Sequence, residues 1–156
     1  MKGSHQQSSV LSALSKQNLI PVESVDDIAA DFVGKSIPFI RFLIENKGVD
    51  GKQIAKVLSK SFGYPQIQLN QFDTTLVPEG IRNEKLITKH NALPLYLRGK
   101  VLFVAMSDPT NLDALEEIQF NTGYNTELVL CDENSLQACI EKVLEDESGA
   151  LDISDI

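Results

Sequence analysis

In the first third of the chain, apolar residues recur three or four positions apart, the period of a helix buried along one face. "SSVLSALSKQNLI" sets Val10, Leu11, Leu14 and Leu19 near one stripe, and Pro21 ends the stretch. "VESVDDIAADFVG" repeats the spacing with Val25, Ile28, Ala29 and Phe32, and Gly34 reads as its carboxyl-terminal cap. "SIPFIRFLIENKG" is predicted to open with Ser36 as N-cap and Pro38 in the first turn, and to close at Gly48. "DGKQIAKVLSKSFG" puts Ile54, Val57, Leu58 and Phe62 on one face before Gly63. The expectation is four short helices, or two helical hairpins in sequence. Their turns, "LSKQNLI" and "LIENKGV", are alike enough to suggest an internal duplication.

After the connector "YPQIQLNQFD", with Ile67 and Leu69 alternating, the period changes. "PEGIRNEKLITKHN" reads as a helix started by Pro78, with Ile81, Leu86 and Ile87 inward. "ALPLYLRGKVLFVAMSD" reads as two strands around a tight turn at Arg98-Gly99. In the first strand Leu93, Leu95 and Leu97 alternate with Pro94, Tyr96 and Arg98, which predicts one wet face and an edge position. "VLFVAM" is apolar on both faces, as a covered central strand would be. A helix with Leu112, Leu115 and Ile118 inward follows, stopped by Gly123. Then come the strand "NTELVLC" and a last helix with Leu136, Ile140, Val143 and Leu144 inward. Strand, helix, strand with short loops implies a parallel crossover. The fold class is therefore α+β: a four-helix subdomain over 8–64, then a small α/β subdomain of about three strands over 65–145.

The charge is −8, from 14 basic and 22 acidic residues, which disfavours nucleic acid and anionic membrane unless the bases cluster. Lys52, Lys56 and Lys60 form a helical row, but acids and polar residues surround it. The last residues, "EDESGALDISDI", carry five acids and no base, and read as an acidic linker over 146–156. No apolar run is long enough to span a bilayer, and "MKGSHQQSSV" has no secretory pattern. Cys131 and Cys139 are too few for a disulfide framework and have no metal-ligand neighbours, so a reducing cytoplasm is the default.

Two stretches could hold phosphate or metal. Ala29 to Ser36 spells A-x-x-x-x-G-K-S, a loosened phosphate-binding loop. A working loop follows a buried strand and is lined by small residues, whereas here Asp31, Phe32 and Val33 sit on a helical period. Gly34 and Ser36 are better read as helix caps. "SDPTN", at the carboxyl end of the central strand, lies where open α/β sheets bind ligands. Asp108 could serve as a ligand there, but Asp108 with Thr110 or Asn111 reads more simply as a cap for the next helix. His90 has no evident carboxylate or serine partner, and His5 sits in the amino-terminal segment. Glu116-Glu117 and Asp26-Asp27 read as solvated pairs, and Cys139 as a small core residue. No catalytic or metal constellation is expected. One helix exceeds ordinary amphipathicity: Ile37, Phe39, Ile40, Phe42, Leu43 and Ile44 run almost unbroken, interrupted only by Arg41. Either it is central and covered on several sides, or it offers Phe39, Phe42 and Leu43 to a partner.

From about residue 8 to 145 the chain resembles the amino-terminal region of the assembly ATPases of type IV pili and type II secretion, the PilB, MshE and GspE type. The carrying stretch is "LITKHNALPLYLRGKVLFVAMSDPTNLDALEEIQFNTGYNTELVL", preceded by helical hairpins and "FGYPQIQL". The resemblance labels 8–64 as MshEN-like and 65–145 as the type II secretion E amino-terminal type. It implies a regulatory and docking role without catalysis, with ATP used only by a hexameric motor domain further along the parent. It also implies a cytoplasmic place at the inner face of the inner membrane, and partners such as a PilZ-type regulator or inner-membrane platform proteins. Some members bind cyclic di-GMP through two motifs of the form R-L-G-x-x-L-V-x-x-G. Here the matching windows read "SVLSALSKQN" and "PFIRFLIENK". Leu14, Leu43 and Ile44 keep the apolar anchors, but Ser9 and Pro38 replace the arginine, and Leu11 and Ile40 replace the glycine. Loss of charge and of close backbone approach predicts weak dinucleotide binding or none. The alternative function is a cyclic di-GMP-sensing module.

Overall fold

A computed structural model describes residues 2–154, with side chains from 7 to 145. His5 and the whole acidic segment 146–156 lie outside the residues whose side chains are described.

Four helices come first: α1 (Lys2–Lys16), α2 (Val25–Phe32), α3 (Phe39–Lys47) and α4 (Gly51–Phe62). α1 stops before the predicted Pro21, because Asn18 turns left-handed at φ 63° and the Leu19 amide donates to the Leu14 carbonyl at 3.0 Å. α3 starts at Phe39, and Ser36 does not cap it. Proline disfavours helical geometry in the residue before it, and Pro38 itself stands extended (φ −57°, ψ 142°) as the N-cap, with no side-chain hydrogen bond. α4 is capped by Asp50, whose carboxylate accepts from the Lys52 amide at 2.9 Å.

The connector then runs beside the sheet: the Ile67 amide donates to the Leu130 carbonyl, and the Leu130 amide to the Pro65 carbonyl, both at 2.8 Å. Three single 3-10 turns follow, at Leu69–Gln71, Thr74–Leu76 and Glu79–Ile81. The helix expected from Pro78 begins only at α5 (Glu84–His90). The Arg82 guanidinium donates to the Val77 carbonyl at 3.0 Å and folds the preceding residues into a tight loop. Asn83 then caps α5 by accepting from the Leu86 amide at 3.2 Å.

The sheet has the order β1 (Ala92–Arg98), β2 (Val101–Met106), β3 (Asn125–Leu130), with β1 antiparallel and β3 parallel to the central β2. α6 (Leu112–Thr122) connects β2 to β3, and α7 (Glu133–Ser154) closes the described chain. Two corrections apply. A bulge at Leu95 breaks the predicted alternation of β1, so Leu93 and Leu95 face one cluster while Leu97 packs against the other. Pro94 is buried, so the wet face is confined to the strand's far end. In α6, Leu115 and Ile118 face the core as expected and Ala114 joins them, but Leu112 at the first turn is exposed.

One apolar cluster joins α1–α4 to Leu102, Val104 and Met106 of β2, Leu128 and Leu130 of β3, and Ala114 and Ile118 of α6. The other lies under α7, where Leu136, Ile140 and Val143 meet Leu93, Leu95, Ala105 and Val129. The helical half therefore shares its core with the sheet, which settles the question raised by α3. Phe39, Phe42 and Leu43 are 6%, 1% and 0% exposed, and the rings of Phe39 and Phe42 lie 4.8 and 5.1 Å from Phe32. They are not a free partner surface. The sheet and the neighbouring helices cover what a four-helix unit alone would leave open.

Candidate functional site

Both sequence stretches with phosphate- or metal-binding overtones come together in one place. A cleft of about 420 Å³ lies between residues 35–39, with Lys35 and Ser36, and the end of β2, with Ser107 and Asp108. His90, Asn91 and Gln7 also line it. Neither stretch takes the form of a nucleotide-binding loop. Gly34 (φ 82°) ends α2, and the chain runs extended into Pro38. Asp108 makes a local turn, accepting from the Thr110 amide at 2.9 Å and the Thr110 hydroxyl at 2.6 Å. It precedes α6 without capping it, since the N-cap is Asn111, whose side-chain amide donates to the His90 carbonyl at 3.2 Å. Burial pushes the Asp108 carboxyl up from its ordinary value; the Thr110 hydrogen bonds oppose this and the nearby Glu133 charge adds to it.

Beneath the cleft lies a polar node that the sequence reading did not find. Glu133, at the start of α7, is 1% exposed. Its Oε2 accepts from Arg41 Nε at 3.2 Å, Arg41 Nη2 at 3.1 Å and Gln137 Nε2 at 2.8 Å. Its Oε1 accepts from Asn91 Nδ2 at 2.7 Å and Ser107 Oγ at 2.6 Å. A buried carboxylate is tolerated only when its lone pairs are filled, and here five donors fill them. The node ties α3 of the helical half to α5, β2 and α7 of the α/β half, and Asn91 and Ser107 belong to both node and cleft wall. Two departures in the sequence pointed to it. Arg41 is the one charge in the apolar run of α3, and Glu133 stands in helical phase with Leu136, Ile140 and Val143.

His90 also has a partner across 27 residues. Its Nε2 meets Glu117 Oε2, and Lys89 Nζ approaches the same carboxylate at 3.4 Å. The His90 hydrogen bond, with Lys89 adding, holds the Glu117 carboxyl below its ordinary value. Glu117 is thus an ion-pair acceptor, contrary to its reading as a freely solvated acid. Cys131 and Cys139 are buried, and burial raises both thiols. Among the described residues, no group of His, Cys, Asp and Glu side chains could hold a metal ion. Nor is any helix long and apolar enough to cross a membrane.

The dinucleotide-window positions separate by depth. Leu11, Leu14, Ile40 and Leu43 are core residues, at most 1% exposed. Ser9 is exposed, and Pro38 is half-buried beside the cleft. α1 and α3 end alike, in the left-handed residues Asn18 (φ 63°) and Gly48 (φ 68°). Matching those two residues moves the second window one position, to 39–48. Phe39 then stands at the arginine position and Arg41, committed to Glu133, at the glycine position. In either register both the arginine and the glycine are absent.

Comparison with known proteins adds the family. The MshEN domain profile matches residues 62–150, from the end of α4 across the α/β half, whereas the resemblance places that label on 8–64. The type IV pilus assembly ATPase PilB of Pseudomonas aeruginosa is 32% identical over 145 residues, 90% of this chain and 26% of that protein. PilB of Myxococcus xanthus is 29% identical over 144 residues, 89% of this chain and 25% of that protein. The chain thus spans about a quarter of the length of these relatives. Two solved structures share the fold. The amino-terminal domain of XpsE aligns with TM-score 0.69 and 16% identity over 87% of this chain and 94% of that one. MshE with cdg aligns with TM-score 0.65 and 21% identity over 86% and 97%. With the profile matching more than half of its length, the chain belongs to the MshEN domain family.

Proposed function

We propose that this chain is a non-catalytic regulatory and docking region of a pilus-assembly ATPase. It binds partner proteins and couples them to a motor it does not itself contain. The observation that carries this reading is the match to PilB over nine-tenths of this chain and only a quarter of PilB. The use of the G-K-S stretch as the end of α2, with no phosphate cradle, supports the same view. The parent would be a hexamer working in the cytoplasm at the inner face of the inner membrane. A PilZ-type regulator or an inner-membrane platform protein would be its partner, and ATP would bind only in the motor.

A second reading, a cyclic di-GMP sensor, is favoured by the shared fold with MshE with cdg and by the cleft beside Pro38. Against it stand the missing arginine and glycine in both windows. Isothermal titration of the chain with cyclic di-GMP, and separately with a PilZ-type protein, tests the two readings. Heat with the protein and a dissociation constant of about 1 mM or weaker for the dinucleotide would support docking. Low-micromolar dinucleotide binding would make the chain a second-messenger sensor instead.

A further inference from the structure

Burial of Phe39, Phe42 and Leu43 removes the apolar docking surface and leaves a different face of the helical half exposed. α4 buries Ile54, Ala55 and Leu58 and turns Lys52, Lys56 and Lys60 outward, all three exposed. At four-residue spacing their side chains follow one another about 6 Å apart along the axis. Among the described residues no carboxylate lies within ion-pair distance of these ammonium groups, whereas Lys47 and Lys89 are paired. Lys56 and Lys60 border a groove of about 260 Å³, with Leu19 and Val57 as its apolar lining and Gln17 and Gln53 as amide donors and acceptors; Lys52 continues the stripe beyond the groove's end, beside Asp50 and Asp132.

The charge is segregated on the scale of the whole chain too. Residues 1–62 hold eight basic and six acidic side chains, and residues 63–156 hold six basic and sixteen acidic. We propose that the Lys52–Lys56–Lys60 stripe and its groove form a docking surface for an acidic amphipathic helix of a partner protein. Glutamates or aspartates one turn apart on that helix would meet the lysines in register, while an aliphatic side chain enters between Leu19 and Val57. A narrow helix touches the stripe alone. A bilayer or nucleic acid would also bring its phosphates against the acid-rich remainder of the chain, which repels them. This assignment rests on the docking reading and names its surface and the chemistry of its partner.

The probe is a synthetic helical peptide of about 18 residues, with glutamates at i, i+4 and i+8 and leucines flanking them. It is titrated into the whole chain at low and moderate salt, with phosphatidylglycerol vesicles run in parallel. The double reversal Lys56→Glu/Lys60→Glu should weaken peptide binding about tenfold or more, and the double Lys→Arg variant should restore it to within about twofold. Added salt should weaken it in the wild-type chain. Both variants change exposed side chains, so a thermal melt should match the wild type. Silence with the peptide, binding indifferent to the charge reversal, or a preference for the vesicles would each overturn the proposal. Heat from a PilZ-type protein that survives the charge reversal would remove the stripe and leave the docking reading standing. Loss of both signals would remove both.

Discussion

Two carboxylates in this molecule are each held by cations, in opposite surroundings. Glu133 is buried at the junction of both halves, with Arg41 and three neutral donors around it. Glu117 stands on the outside of α6 with Lys89 and His90, its side chain 38% exposed against 1% for Glu133. The chemistry is nearly the same, but water and salt can replace the partners of Glu117. They cannot reach Glu133, where losing the cation leaves a charge facing only neutral dipoles. Depth decides which pair holds the fold together.

The comparison can be calibrated and then attacked. Phe42→Ala sets the scale: truncating a fully buried ring should cost about 3–5 kcal/mol, and chemical denaturation would read it as a large fall in midpoint. Arg41→Ala comes next, at about 3 kcal/mol, or a melting temperature lower by roughly 6–12 °C. A loss below about 1 kcal/mol would show that water fills the vacancy and that the pair contributes no more than a solvent-exposed one. The double change Arg41→Met/Glu133→Leu removes the charge along with its partner and should recover most of that loss, a non-additivity that a double-mutant cycle measures.

Asp108→Asn probes the wall of the cleft. The folded-state pKa of Asp108 is raised, so the native fold favours its protonated form. That contribution is fully present below the carboxyl's unfolded value and is lost as pH rises through the folded value. Asparagine keeps an oxygen for Thr110 and carries no charge, so the variant should melt higher than wild type at neutral pH and lose that advantage in acid. The smallest effect belongs to Glu117→Gln. The folded-state pKa of Glu117 is lowered, so its contribution is present above its unfolded value and fades as pH falls through the folded one. Its melting shift at neutral pH should be slight and should shrink in salt, unlike that of Arg41→Ala.

The sequence made the helices and strands legible wherever the apolar period was long. The doubly apolar "VLFVAM" read correctly as the central strand, and the four amino-terminal helices were expected in order. Single residues that act through geometry escaped the pattern. The bulge at Leu95 flips Leu97 to the opposite face, and alternation carries no mark of an extra unpaired residue. The 3-10 turn after Pro78 depends on where Arg82 places its guanidinium. At the candidate site, the cleft was half legible, because its two loops were both singled out but nothing along the chain said they would meet. Glu133 and Arg41 stand 92 residues apart, and each was visible only as a charge out of place in an apolar stripe. The apolar run of α3 had two readings, and the choice turned on a sheet whose placement the local pattern does not encode.

The small sheet has one further consequence. Open strand edges invite copies of a protein to add strand upon strand and to precipitate. On β1 the edge carries Pro94, which has no amide hydrogen to offer, and a bulge that disturbs the ladder beside it. On β3 the backbone of Pro65 to Ile67 already takes up hydrogen bonds of Leu130. Neither side presents a long straight ladder, so many copies can be crowded together without zipping into fibres.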